Sequence, residues 1–301
     1  MAMNLNGVLI DPLHGEENLQ GRWLRACSDQ SFTLDPLRIF RAFRFEADGW
    51  RLAPTTETLI KEGDFSTFFS AMPVERFSNE LLKALSKKTP ERFFQRMITC
   101  NIGGEFLPEL FRMPQIPAGP LQHHPEGDLF THSIQVLQRV AALTTDPLAR
   151  FCAFFHDIGK LATDPTLYPK HHGHDEAGFP LAERLCTRLA LSSAHRKALA
   201  GISRLHGKTH RWDEMRWATK IRTAEDAVKA GIVHILPLVA MADKPGNLPI
   251  NGWDDAIKVA RMTVAELEID QEKLEQMKPK DRGPFISEQR AKLLKSRFTS
   301  S

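Results

Sequence analysis

No stretch of this sequence is apolar for long enough to cross a bilayer, which excludes a membrane-spanning helix. No basic-then-apolar segment opens the chain, so no secretory signal is read there. The four cysteines, Cys27, Cys100, Cys152 and Cys186, include no close pair, and the last two lie in apolar helical runs. That excludes a disulfide framework and points to reduced core thiols in a cytoplasmic protein. A strong charge of either sign is also missing: the net charge of +3 permits nucleic-acid contact without arguing for it. No internal repeat appears. What is present is an ordinary globular composition, 42% hydrophobic and 26% charged over 301 residues. This is enough to bury a sizeable core in two domains or one elongated assembly. Histidine is the exception, since most of the twelve fall between His123 and His234.

Only the beginning hints at strand, where "GVLIDP" (7–12) closes on Asp-Pro and "HGEENLQGRWLRAC" continues as turn and short strand or helix. From "TLDPLRIFRAFRFEADGW" onward helical spacing dominates. Thr33 or Asp35 is the expected cap, Pro36 suits a first turn, and Leu37, Phe40 and Arg44 follow at helical intervals. "VERFSNELLKALSK", "PERFFQRMITC" and "GGEFLPELFRM" read as further helices bounded by Pro or Gly. A Pro/Gly-rich link at 113–128 places a boundary near Gly119. Beyond it, "FTHSIQVLQRVAAL", "LARFCAFFHDIGKLA", "DEAGFPLAERLCTRLAL", "AHRKALAGISRLHGKTH" and "GIVHILPLVAMADK" predict five helices. The polar end, from Gln271, predicts an exposed helix with a frayed tail. The fold class expected is mainly α, with segments 1–30, 31–118, 119–260 and 261–301.

The chemistry concentrates in "FFHDIGK". An apolar helix ends there in His156 and Asp157, and an unpartnered buried carboxylate is costly. Neighbours on a helix point about 100° apart, so both reach one ion only where the backbone turns away, a turn assigned to Gly159. His132 lies on the inner face of the preceding helix, and "LPLVAMADK" ends a later apolar helix in Asp243. Two histidines and two carboxylates suit a divalent metal with open positions for water and substrate. His174 in "HHGHDEAG" and His206 in "SRLHGK" stand where they extend the set, and Gly178 would let a neighbouring helix approach and turn His174 inward. His123, His124, His171, His195, His210 and His234 are read as caps or core residues.

The order His132, "HDIGK" (156–160), Asp243 resembles the HD-domain metal-dependent phosphohydrolases, with His174 and His206 like the added histidines of two-metal members. The resemblance implies a helical bundle that hydrolyses phosphoesters, with Asp157 at its centre and Lys160 steadying the phosphate. A wider likeness runs through "NLNGVLIDPLHGEENL", "SFTLDPLRIFRAFRF", "HHPEGDLFTHSIQVL" and "LYPKHHGHDEAGFPLAERLC". These stretches are similar to the bacterial tRNA nucleotidyltransferase and poly(A) polymerase family, some of whose members carry an HD domain with phosphatase, 2′-nucleotidase and cyclic phosphodiesterase activity. On that likeness, residues 1–30 are the edge of a nucleotidyltransferase head, 31–118 a helical neck and body that grips RNA, and 119–260 the HD domain. The family's Gly-Ser and Asp-x-Asp motifs are absent from this sequence, so nucleotide addition by this chain alone is not expected. Where relatives carry Glu-Asp-x-x-Arg, this chain has Leu34-Asp35-Pro36-Leu37-Arg38, leaving Asp35 and Arg38 as base-reading candidates. The implied cofactor is one or two divalent ions of Mn, Ni, Co, Fe or Zn. The implied substrate is a nucleotide or an RNA 3′-end phosphate, 2′,3′-cyclic forms included, with tRNA a partner. The competing expectation is an RNA-binding body without catalysis.

Overall fold

The fold, a computed structural model, describes residues 1–244 and 250–299. Among the described residues, strand is confined to four two-residue pieces. β1 (Ala2–Met3) pairs antiparallel with β2 (Leu9–Ile10), and β3 (Trp23–Leu24) runs parallel to β4 (Arg51–Leu52). Everything else is helix and loop, so the chain is mainly α.

The first half comprises α1 (Gly15–Gln20), α2 (Ser31–Leu34), α3 (Leu37–Glu46), α4 (Pro54–Glu62), α5 (Ser66–Ala71), α6 (Val74–Leu85), α7 (Glu91–Cys100) and α8 (Pro108–Arg112). Phe40 and Phe43, one turn apart on α3, are fully buried. Phe40 meets Phe77 edge-on at 4.8 Å between ring centroids, and Phe77 stacks on Phe106 at 4.5 Å. Neither expected cap is used: Pro36 precedes α3 with no side-chain bond, Thr33 lies inside α2, and the Asp35 carboxylate accepts from Arg76 at 3.2 Å. A partner 41 residues away outcompetes the local bond. The helix read over "GGEFLPELFRM" shrinks to α8, since Gly103 has φ +94°, outside any helix.

The second half holds α9 (Leu129–Leu143), α10 (Pro147–Phe155), α11 (His174–Arg188), α12 (Ser193–Thr209), α13 (Trp217–Ala230), α14 (Ile235–Asp243), α15 (Trp253–Arg261), α16 (Gln271–Gln276) and α17 (Pro279–Thr299). A 3₁₀ turn, Ile158–Ala162, follows α10. The two halves share one apolar core across the 113–128 link. Phe94 of α7 stacks on Phe154 of α10 at 3.7 Å. Arg150 of α10, only 2% exposed, donates to the carbonyls of Leu85, Lys87, Ala141 and Thr144. It thereby satisfies the C-terminal carbonyls of α6 and α9 together. The tail read as exposed is half anchored: α17 buries Ala291 and Leu294, and Arg290 pairs with Glu225 of α13 at 2.7 Å. No described helix is long and apolar enough to cross a membrane.

Candidate metal centre

Each site residue is delivered by a helix end or a first turn. Asp128 caps α9 through the Thr131 amide (2.9 Å), starting the helix so that His132 faces inward one turn later. α10 stops at His156, and Asp157 leaves the helical path at φ −97°, ψ 20°, which brings both side chains to one side. Gly159, expected to make that turn, does something else. A Cβ there would lie 1.9 Å from the His174 carbonyl oxygen and 2.8 Å from the Gly178 amide, so its bareness admits the first turn of α11. Gly178 in turn admits α12: a Cβ at that position would lie 1.7 Å from Ser203 Oγ. Two glycines thus set α11 against its neighbours and aim His174 inward.

The structure brings His132, His156, Asp157 and Asp243 together, with one ligand atom from each within 4.8 Å of the others. His132 Nε2 lies 3.0 Å from Asp243 Oδ1 and 3.3 Å from His156 Nε2, and His156 Nε2 lies 3.2 Å from Asp157 Oδ2. On its other oxygen, Asp157 faces His174 Nε2 and His206 Nε2, both at 3.3 Å. Among the described residues these three form a further such group, as do His124, Glu126 and His132. Asp157 is therefore shared by both.

The outward ring nitrogens decide what the inward ones are. His156 Nδ1 donates to the Ala153 carbonyl (2.8 Å), His174 Nδ1 to the His171 carbonyl (2.6 Å), and His206 Nδ1 to the Ile202 carbonyl (3.0 Å). His132 Nδ1 donates to Glu126 Oε1 at 2.7 Å. A carbonyl or carboxylate only accepts, so in neutral rings all four Nε2 atoms present bare lone pairs to the carboxylates. Buried Asp157 Oδ1 has no hydrogen-bond partner. Acceptors facing acceptors in a buried place call for a cation, and nitrogen and oxygen donors in this number fit a divalent metal. The electrostatics agree. Burial alone would lift both carboxyls, but Lys160 and His156 outweigh it at Asp157, as His132, His156 and His210 do at Asp243, and both are held well below the usual range. Burial likewise depresses His156, yet the two aspartates push it up to about 10.

The cluster floors an open cleft of about 420 Å³, walled by Gln122, His123, His124, Gly207, His210 and Lys244. Lys160 lines the cleft, and its Nζ donates to the Ala118 carbonyl and sits against Asp157 Oδ2, both at 2.6 Å. One donor remains. His210, expected as a cap or core residue, instead holds Asp243 Oδ2 through its Nε2 at 2.7 Å. The four-residue step from His206 in "HGKTH" was the visible signal. His124, also read as bland, donates to Glu126 at 3.0 Å, and Glu126 itself was missed. His171 bonds Thr163 and the Pro117 carbonyl, a structural role. Asp35 and Arg38 are not brought to this centre. Arg38 lines a separate cleft of about 540 Å³ with Arg25, Arg41, Trp23 and Phe45. Asp35 is engaged by Arg76 and lies 3.9 Å from Arg38.

Comparison with known proteins bears on this geometry. The HD domain family matches residues 129–236, and the family described as "Probable RNA and SrmB- binding site of polymerase A" matches 50–113. A Multifunctional CCA protein of Methylococcus capsulatus is 37% identical over 225 residues, covering 73% of this chain and 52% of that protein. One from Legionella pneumophila is 35% identical over 254 residues, 81% and 60% of the two lengths. The matched residues are an HD domain and the body of the tRNA nucleotidyltransferase family. The chain spans about half the length of the curated relatives it matches. The fold is shared with a Thermotoga maritima CCA-adding enzyme complexed with tRNA, at TM-score 0.58 and 19% identity over 96% of this chain and 64% of that one. A CCA-adding enzyme with CTP aligns at 0.59 and 18%, over 96% and 62%. HD domains bind divalent metals, which agrees with the donor set found here.

Proposed function

We propose that this HD domain is a metal-dependent phosphohydrolase acting on nucleotides or RNA ends, as a phosphatase or 2′,3′-cyclic phosphodiesterase. The observation that carries the reading is the convergence of four histidine Nε2 atoms with the Asp157 and Asp243 carboxylates on the floor of an open cleft. His132, His156, Asp157 and Asp243 would hold one ion, and Asp157, His174 and His206 a second. Mixed nitrogen and oxygen donors suit Mn, Fe, Co, Ni or Zn better than Ca. A divalent ion supplies Lewis acidity, lowering the pKa of water and offsetting charge on phosphate oxygens. The protein's own part is positional and electrostatic. Lys160 fixes the shared Asp157, His210 fixes Asp243, and Lys244 on the cleft wall adds positive charge to draw in a phosphate. Protein supplied with Mn, Co or Ni is expected to hydrolyse bis-p-nitrophenyl phosphate or a 2′,3′-cyclic nucleotide, and Asp157→Ala to abolish this. Equal rates in variant and parent would overturn the reading.

The cleft walled by Arg25, Arg38 and Arg41 beside Trp23 and Phe45 favours a second, compatible role: gripping RNA through phosphate charge and base stacking. Arg38→Ala with Arg41→Ala is expected to weaken tRNA binding and flatten its salt dependence. Unchanged binding would remove that role. Nucleotide addition is not expected of this chain alone, and incorporation of CTP or ATP into tRNA by it would contradict that.

A further inference from the structure

Among the four imidazoles that face the centre, three take their orientation from main chain. The Nδ1 atoms of His156, His174 and His206 donate to carbonyls three or four residues earlier, bonds that no side-chain change nearby removes. His132 is the exception, because its Nδ1 partner is the side chain of Glu126 at 2.7 Å. That carboxylate is buried, with 8% of its side chain exposed, and the same Oε1 accepts a second bond, from His124 Nδ1 at 3.0 Å. The two rings meet edge-on, 5.0 Å between centroids. Gly119 leaves room for the His124 ring, which a Cβ there would meet at 2.3 Å. The carboxylate therefore has two donors on one oxygen, His124 on its outer side and His132 on its inner side.

We infer that Glu126 is a positioning residue, which selects the Nδ1–H form of His132, aims its Nε2 at the centre and raises that nitrogen's donor strength. A negative acceptor on the outer nitrogen makes an imidazole a stronger ligand than a neutral carbonyl does. Of the two groups that meet at Asp157, only the one containing His132 is adjustable in this way. The inference rests on the metal reading above and deepens it: Glu126 tunes the first ion and leaves the second alone.

The test compares Glu126→Ala and Glu126→Gln with the parent in two measurements. The first is ring ¹⁵N NMR of the metal-free protein, with the His132 signals assigned by their loss in His132→Ala. The parent is expected to show His132 protonated on Nδ1. Glu126→Ala is expected to lose that preference, and Glu126→Gln, whose amide oxygen still accepts, to keep it. The second is titration with Mn alone. Glu126→Ala is expected to weaken the tighter binding step 10- to 100-fold, Glu126→Gln less, with the step that depends on His206 unchanged. If Glu126→Ala melts early, Glu126→Gln at the parental melting temperature carries the test, and parental Mn affinity in it overturns the inference. Unchanged His132 protonation together with unchanged affinity in Glu126→Ala also overturns it. A parent that binds no Mn would instead defeat the metal reading, while the NMR result would still decide the role of Glu126.

Discussion

Replacing Gly159 with alanine tests how the site is assembled. The added Cβ would sit 1.9 Å from the His174 carbonyl oxygen, about 1.5 Å short of ordinary van der Waals contact. A flexible side chain would swing aside, but here the obstacle is main chain in the first turn of α11, backed by Gly178 against Ser203 of α12. The helix must therefore shift by more than an ångström or tilt. Overpacking a tight core costs up to about 3 kcal/mol, and a main-chain clash belongs at that upper end. For a chain of this size such a loss lowers the melting temperature by about 6 °C. The larger effect is local. His174 rides on the displaced turn, so its Nε2 leaves its position 3.3 Å from Asp157 Oδ1, while His132, His156 and Asp243 on other helices stay. Scanning calorimetry with Mn titration should show a lower melting point and loss of the weaker Mn site with the tighter one kept. Two intact sites at the parental melting temperature would refute the close-approach argument for Gly159.

Other expectations follow from the same geometry. His206→Ala is expected to reduce bound Mn at saturation from about two equivalents to about one by metal analysis, and one equivalent in both proteins would leave His174 and His206 as substrate contacts. Arg150→Met should cost about 3 kcal/mol in urea denaturation, because four carbonyls lose their shared donor. Arg96 bonds Glu57 at 3.0 Å and Glu46 at 2.7 Å, and with Lys61 it holds the Glu57 carboxyl at about 2 against an ordinary 4.5. A depressed folded value means this stabilisation is complete above pH 4.5 and disappears as pH falls toward 2. Arg96→Ala is then expected to move acid unfolding to higher pH and to cost about 3 kcal/mol at neutral pH, since it strands the buried Glu46. An acid transition unmoved by Arg96→Ala would refute this assignment.

The parts legible in the sequence were those whose signals are local. His156 and Asp157 announce themselves as polar residues ending an apolar helix, and α9 to α12 show their buried faces in the spacing of Val, Leu and Phe. α13 escaped because its buried stripe is made of Lys220, Ile221, Thr223, Ala224 and Ala227, and neither an alanine, a threonine nor a lysine stem registers as an apolar period. The face of α17 that meets α13 is hidden in the same way, as two buried apolar residues in a charged run.

What stayed illegible depends on partners far away in sequence. A glycine after Asp-Ile suggests a turn at Gly159, yet its reason lies in α11, fifteen residues on, and no local pattern states what packs against a missing Cβ. Asp35 looked like a cap because Ser, Thr and Asp before a helix usually are, and lost that role to Arg76. Glu126 is the sharpest instance. It stands six residues before His132, in a loop, where neither helical nor strand spacing connects the two. A metal ligand is visible in sequence because its own helix must present it. The group that decides which nitrogen of that ligand carries the proton obeys no such constraint, and only the folded chain shows which residue supplies it.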